Sequence, residues 1–357
     1  MFNPKNSANQ VEPLCPIYGE CGGCQYQHLS YRQELVVKEE QLQRLFKQNF
    51  SSAARLIKPI VASPKEYHYR HRLDVRLLKT RNNEIFMGFT PTGRAQVIEA
   101  DSCAIALPEI SQYLPRLKSE AVQKLPEKYR NANLVIRTGD EGRVFWGGIG
   151  RRSLRMLEEN YFWTKVNGKK IFYSLETFFQ ANLSILPKVV TEIKKLKFFN
   201  KKISFYDLYG GVGLFGIAFY ANVKEVVLIE SDPHSVKLAQ FNKQHHHFEN
   251  FHIFQGLVER VLELKLQENA NVHKVAMIDP PRQGLSASVV KTLTTVQGFK
   301  ALLYLSCSPE SLVRDLKLLS KVWQIKRVIP FDFFPKTKHL ETLVVLKPKS
   351  KTKKGQK

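Results

Sequence analysis

A chain of 357 residues can hold two or three domains, and 43% hydrophobic with 24% charged residues is a folded, soluble balance that excludes a disordered protein. No apolar run reaches about 18 residues, and "MFNPKNSANQVEPLCPIYG" lacks an apolar core, so neither a membrane span nor a secretory signal is expected. The net charge of +23 falls only to +17 without the six lysines from Lys347 on, which points to a polyanionic partner, most simply nucleic acid. A cytoplasmic protein follows as the expectation, in a reducing compartment where cysteines serve as ligands or catalysts more often than as disulfides.

The first feature in chain order is "CPIYGECGGC", which sets Cys15, Cys21 and Cys24 in C-x5-C-x2-C spacing. Gly22 and Gly23 allow the thiolates to converge. A fourth cysteine, Cys103, follows Cys24 after 78 intervening residues. Four thiolates suit a [4Fe-4S] cluster or a tetrahedral zinc; the missing second short knuckle favours iron–sulfur.

"SYRQELVVKEEQLQRLFKQNF" then reads as a helix, with Ser30 as N-cap and Leu35, Lys38, Leu42, Leu45 and Phe46 near helical spacing. From about 57 to 172 short strands dominate, two of them joined by an Asn-Asn turn in "YHYRHRLDVRLLKTRNNEIFMGFT". A strand from Tyr67 places His68, Arg70, Arg72 and Arg76 on one face with Asp74, and Tyr67, Tyr69, Leu73, Val75 and Leu77 on the other. That basic strip is either an RNA-backbone contact or an ordinary solvated face.

From about 186 onward, helices alternate with the apolar strands "ISFYDLYGG", "EVVLIESD", "KVAMIDPPRQG" and "ALLYLSCSP", with "TLVVLKP" as a late strand. This alternation predicts a mostly parallel, doubly covered sheet with ligands at the strands' carboxyl ends. "DLYGGVGLFG" has Gly211, Gly213 and Gly216 in G-x-G-x-x-G spacing, and Glu230 closes the next strand 19 residues after Gly211. The pattern fits a dinucleotide or S-adenosylmethionine. Asp279 and the prolines of "IDPPRQG" then form a rigid rim, as in many methyltransferases acting on nitrogen or on bases. The triplet "HHH" at 245–247 reads as a solvated helix end, not a metal site.

Cys307 ends "ALLYLSC", and "SPESLVRDL" starts a helix there, with Ser308 as N-cap and Pro309 at the first position. A helix N-terminus lowers a thiol's pKa. A nucleophile, a buried filler and a metal ligand all remain open on these grounds.

Taken together, the stretches "CPIYGECGGCQYQHLSYRQEL", "ETFFQAN", "DLYGGVG", "IDPPRQG", "YLSCSP" and "FPKTKHLET" resemble, in order, the motifs of the RNA uracil-C5-methyltransferase family. The match is to its iron–sulfur branch, of the 23S ribosomal RNA 5-methyluridine type, and runs from Cys15 to about Lys347. The resemblance implies an α/β protein: a Rossmann-like S-adenosylmethionine-dependent methyltransferase domain, a β-rich central domain and an N-terminal iron–sulfur cluster region. The expected segments are a cluster region (1–30), a helical segment packing on the catalytic domain (31–56), a central RNA-binding domain contributing Cys103 (57–172), the catalytic domain (173–347) and a basic tail (348–357).

The resemblance further implies that Cys15, Cys21, Cys24 and Cys103 hold a [4Fe-4S] cluster, structural or RNA-guiding rather than redox-active. Gln180, Tyr209, Glu230 and Asp279 would contact S-adenosylmethionine or the space between it and the target base, beside the glycine turn of Gly211 and Gly213. Cys307 would be the nucleophile and Glu341 the base. Ribosomal RNA is the expected substrate of a monomeric enzyme, with transfer RNA as the alternative. A non-catalytic iron–sulfur RNA-binding protein and a nicotinamide dehydrogenase are rivals from other classes. Four positions depart from the family pattern: Gly210 where cysteine is usual, Leu214 where the residue is often polar, Gly256 where Asn or Asp might meet adenine, and Lys336 where His is common. Only 14 residues precede Cys15, too few for the oligonucleotide-binding barrel of larger relatives, so RNA recognition is expected to fall to the central domain and its strand at 67–81.

Overall fold

The structure, a computed structural model, describes residues 10–91, 96–124, 130–149, 154–268 and 273–349. Two helices come first, α1 (Tyr31–Asn49) and α2 (Ser51–Ala54). They are followed by β1 (Arg72–Lys79), β2 (Ile85–Phe89), β3 (Ile98–Glu99), α3 (Pro108–Lys124), β4 (Asn131–Arg137), β5 (Phe145–Gly148), β6 (Phe162–Val166) and β7 (Lys169–Tyr173). The remainder alternates: α4 (Leu186–Lys194), β8 (Ile203–Leu208), α5 (Leu214–Phe219), β9 (Glu225–Glu230), α6 (Pro233–His245), β10 (Phe251–Gln255), α7 (Val258–Glu268), β11 (His273–Ile278), α8 (Ala287–Thr295), β12 (Phe299–Ser306), α9 (Pro309–Leu319), β13 (Trp323–Phe331) and β14 (Glu341–Pro348). The expected N-cap of α1 is in place, with Ser30 Oγ accepting from the Gln33 amide at 3.3 Å.

The chain divides into two compact units, the first comprising Met1–Lys38, Ala62–Pro187 and Asp332–His339, the second Glu39–Val61, Lys188–Phe331 and Leu340–Lys357. This division differs from the five expected segments. Residues 174–187 go with the central strands because the buried Arg137 guanidinium donates to the carbonyls of Ser174, Thr177 and Phe179 at 2.7–3.0 Å.

In the first unit, an antiparallel sheet of order β3-β2-β1-β4-β5 carries α3 on one face. Alternation on β1 turns Leu73, Val75 and Leu77 inward to pack with Leu134 and Ile136 against Ile110, Leu114 and Leu117 of α3. Each such side chain contributes roughly 1.5–3 kcal/mol by leaving water. The expected strand from Tyr67 begins five residues late. His68 lies in the left-handed region (φ 51°), and the amides of His68, Tyr69 and Arg70 bond the carbonyls of Ala104 and Ile105 instead. The basic strip is thereby broken up: Arg70 turns toward the cysteines, and Arg72 is bound to Asp74 at 2.7 Å.

The second unit is a seven-stranded sheet of order β10-β9-β8-β11-β12-β14-β13. The first five strands are parallel and the last two antiparallel. Strands β10 and β13 lie outside the sequence expectations. Both are edge strands, so "FHIFQ" and "WQIKRVIPF" carry polar residues and a proline that an inner strand would not. The order reverses at β8 and β11, a position where doubly wound sheets bind ligands.

Gly216 makes close packing of α5 possible, since a Cβ there would stand 2.7 Å from the Phe251 ring and 3.0 Å from Val226. Alanine would favour the helix by about 1 kcal/mol, while overpacking costs about 1–3 kcal/mol. Gly216→Ala is therefore expected to lower stability by a net of up to ~2 kcal/mol, read from urea unfolding midpoints; a raised midpoint would show that the Phe251 ring yields without cost.

Candidate active site

The second unit gathers its chemistry at the carboxyl edge of the parallel strands. Cys307 follows β12 directly, Asp279 follows β11, and Glu341 opens β14. Strand β14 runs antiparallel to β12 with Ser306 paired to Thr342, a register that brings the next residue, Cys307, alongside Glu341. The "DPPR" rim adds Arg282, which the sequence reading quoted but gave no role.

Burial and charge set the protonation of this group. Burial, with the nearby Glu341 and Asp279 carboxyls, pushes the Cys307 thiol up to about 11, while the Arg282 charge pulls it down. The expected lowering by the helix N-terminus is thus outweighed by desolvation. Burial lifts Asp279 to about 7. Burial and the Asp279 charge hold Glu341 well above the usual carboxylate range, with Arg282 opposing. The two carboxyls therefore retain a proton at neutral pH that separate carboxylates would have lost. Glu341 is buried, and its Oε2 has no hydrogen-bond partner among the described residues.

The rim is clamped to α9, the helix that Cys307 precedes. Ser308 caps α9 by accepting from the Ser311 amide. Ser311 Oγ donates to the Arg282 carbonyl at 2.5 Å, and Arg314 donates to the Gln283 carbonyl at 2.6 Å. The buried Asp315 accepts from the Leu285 amide at 2.8 Å and the Tyr304 hydroxyl at 2.7 Å. Gly284 (φ 77°) lies so close that a Cβ would sit 2.4 Å from Asp315. Cys307 and the rim are joined through one helix.

The glycine turn lies at the ends of β8 and β9. Tyr209, Gly211 and Gly213 all adopt left-handed backbone (φ 59°, 54° and 96°), and space is open where a Gly211 side chain would stand. Glu230 accepts from the amides of Gly211 (3.0 Å), Ser231 (2.6 Å) and Asp232 (2.8 Å). Burial lifts the Asp207 carboxyl to about 8, and it accepts from the Gly216 amide at 2.8 Å. Asp207, unassigned in the sequence reading, thus fixes the turn from below. Gly210 needs its glycine, because a Cβ would lie 2.6 Å from Leu228 Cγ. Leu214 is core, and at Gly256 (φ 153°) a Cβ would stand 2.8 Å from Val261, which leaves no place for the Asn or Asp considered there.

The first unit contains the other expected residues. Gln180 is buried on the segment tied down by Arg137, two residues after Phe178, whose side chain is 70% exposed. Lys336 pairs with Glu66 at 2.7 Å and lies over the rings of Tyr31 and Tyr67. Cys15, Cys21, Cys24 and Cys103 line one cavity of about 240 Å³ with Arg70 and Asp74. All are free thiols, and burial pushes Cys21 and Cys103 up and Cys24 up to about 12. They do not converge as ligands of a single ion would: among the described residues no three His, Cys, Asp or Glu side chains are grouped to hold one. Four thiols lining one cavity are the donor set that a [4Fe-4S] core takes.

Residues 149–349, more than half of the chain, match the family model described as tRNA (Uracil-5-)-methyltransferase. The chain belongs to this family. It is an S-adenosylmethionine-dependent RNA uracil-C5 methyltransferase. An uncharacterised RNA methyltransferase of Staphylococcus aureus is 27% identical over 95% of this chain and 85% of its own length. A 23S rRNA (uracil(1939)-C(5))-methyltransferase of Aliivibrio salmonicida is 25% identical over 96% and 83%. The fold is shared with the Pyrococcus abyssi tRNA (uracil-54, C5)-methyltransferase, solved with S-adenosyl-L-homocysteine, at a TM-score of 0.69, 22% identity and coverage of 91% and 85%. No helix among the described residues of this methyltransferase is long and apolar enough to cross a membrane.

A thiol raised to about 11 is mostly protonated at neutral pH, so alkylation of Cys307 is expected to accelerate about tenfold per unit between pH 7 and 9. Arg282→Gln removes the opposing charge and is expected to slow alkylation at pH 8 by roughly threefold or more. Peptide-resolved iodoacetamide labelling reads both effects; an unaltered Arg282→Gln rate would mean the guanidinium does not act on the thiol.

Proposed function

We propose that this enzyme methylates C5 of one uridine in 23S ribosomal RNA through a covalent adduct between Cys307 and C6, resolved by Glu341. The observation that carries this reading is the β12–β14 register, which sets a thiol beside a buried carboxyl. C5 of uracil is a weak nucleophile; attack of the Cys307 sulfur at C6 gives the ring enolate character and makes C5 reactive. Bound S-adenosylmethionine supplies the electrophilic methyl group. Glu341, as carboxylate, then takes the C5 proton, the C5–C6 double bond re-forms and the Cys307 thiolate leaves. Arg282 favours the ionised form of both groups, offsetting part of what burial costs them.

The left-handed turn at Tyr209, Gly211 and Gly213, with open space at Gly211 and a carboxylate at Glu230, supports a donor site there, with Asp279 at the neighbouring strand end. The exposed Phe178 ring beside Gln180 suits stacking of an unpaired base, and the target uridine must leave any stem to expose C6. Cys15, Cys21, Cys24 and Cys103 would hold a [4Fe-4S] cluster in a structural role, a reading supported by their shared cavity. The enzyme would act as a monomer in the cytoplasm.

The Aliivibrio relative, alike over 96% of this chain, speaks for ribosomal RNA. The family description and the Pyrococcus structure speak for a second reading, transfer RNA. Mass spectrometry of both RNAs from a deletion strain separates them: loss of a 5-methyluridine from 23S RNA is expected, and its persistence there with loss from transfer RNA would reverse the assignment.

Cys307→Ala is expected to abolish methylation, a loss of about 10⁴-fold or more, while donor binding by calorimetry is kept. Glu341→Gln is expected to accumulate an RNA adduct stable on denaturing gels. Methylation by Cys307→Ala would overturn the covalent route, and Glu341→Gln turning over normally without adduct would overturn the base.

A further inference from the structure

The cysteine cavity contains one feature that the family reading leaves without a role. Among the described residues that line it, Arg70 is the only cation; the only carboxylate, Asp74, is held by Arg72 through three bonds of 2.7–3.3 Å. The Arg70 Nε is buried and has no hydrogen-bond partner among the described residues. An unsatisfied buried guanidinium nitrogen costs stability unless a ligand completes it. The backbone of Arg70 is fixed beside the Cys103 loop: its amide donates to the Ile105 carbonyl at 2.9 Å, and its carbonyl accepts from the Leu107 amide at 2.9 Å.

We propose that Arg70 is the counter-charge and hydrogen-bond donor of an anionic thiolate-ligated centre in this cavity, with its Nε–H directed at a cluster sulfur. The proposal rests on the cluster reading above. Each cysteine gives its proton to solvent on ligating iron, so a cluster with four thiolates adds net negative charge to the cavity. A fixed guanidinium offsets that charge, and charge-assisted hydrogen bonds are the stronger kind.

The test uses the full chain, purified anaerobically or reconstituted with ferrous iron and sulfide, as wild type, Arg70→Gln and Arg70→Lys. Wild type is expected to hold four irons and four sulfides per chain. Arg70→Gln is expected to lose the cluster's visible absorbance to a chelator roughly tenfold faster, with its reduction midpoint moved to lower potential. Arg70→Lys, which keeps the charge, is expected to fall between. Without metal, Arg70→Gln is expected to melt at or above the wild-type temperature, because the unpaired guanidinium is gone; a merely structural arginine would give the opposite. A wild-type cluster whose chelation rate and midpoint are the same in Arg70→Gln would overturn the role of Arg70 alone. A wild type that takes up no iron and sulfide would overturn the cluster reading and this proposal with it.

Discussion

The active site depends on one strand running against the others. Five parallel strands bring the glycine turn, Glu230, Asp279 and Cys307 to the same edge, but a carboxyl on a further parallel strand would need another helical crossover. Instead β13 and β14 form an antiparallel pair, and β14 returns along β12 so that its first residue, Glu341, starts where β12 ends. Period-two alternation makes this register strict: a slip of one residue would turn Leu343 and Val345 out of their places and carry Glu341 away from the thiol. The apolar run that follows Glu341 therefore fixes the placement of Glu341 beside Cys307 as well as a core.

Around that pairing, electrostatics oppose stability. A half-buried thiol, two buried or half-buried carboxyls and a carboxyl beneath the glycine turn are all shifted toward their neutral forms by burial. Neutral groups fold at little cost but do not attack or abstract. Arg282 biases them back toward charge, and its backbone is clamped through Ser311 to the helix that Cys307 precedes. The clamp matters because Coulomb effects at this range change steeply with position. Anchoring the Arg282 backbone to the helix that Cys307 precedes keeps the bias constant.

Much of this was legible in the residues. The glycine spacing, the acid that follows it, the proline rim and the Ser-Pro helix start are local patterns, and local patterns survive without knowledge of the partner surface. Strands β10 and β13 were not legible because edge strands carry the polar residues and proline that loops also carry. Arg70 was misplaced because alternation from Tyr67 assumes an unbroken strand, while the backbone at His68–Arg70 bonds to residues 104–105. Gly210 stood out only as a departure from the family's usual cysteine; the side chain of Leu228, on a neighbouring strand, is what crowds any side chain there.

The sequence by itself determined the class of sheet, the order of its motifs and which thiol stands apart from the cysteine cluster, since each follows from periodicity, turn chemistry or spacing within a few dozen residues. Only the tertiary structure decided which charges meet. Residues 279, 282, 307 and 341 come from three different strand ends, and residues 15, 21, 24, 70 and 103 from three different segments. Burial, which no local pattern reports, then reversed the expected lowering of the Cys307 pKa, and the fold set Arg70 in the cavity that the four thiols line. Protonation and partnership are properties of a dielectric environment, and that environment exists only once the strands are paired.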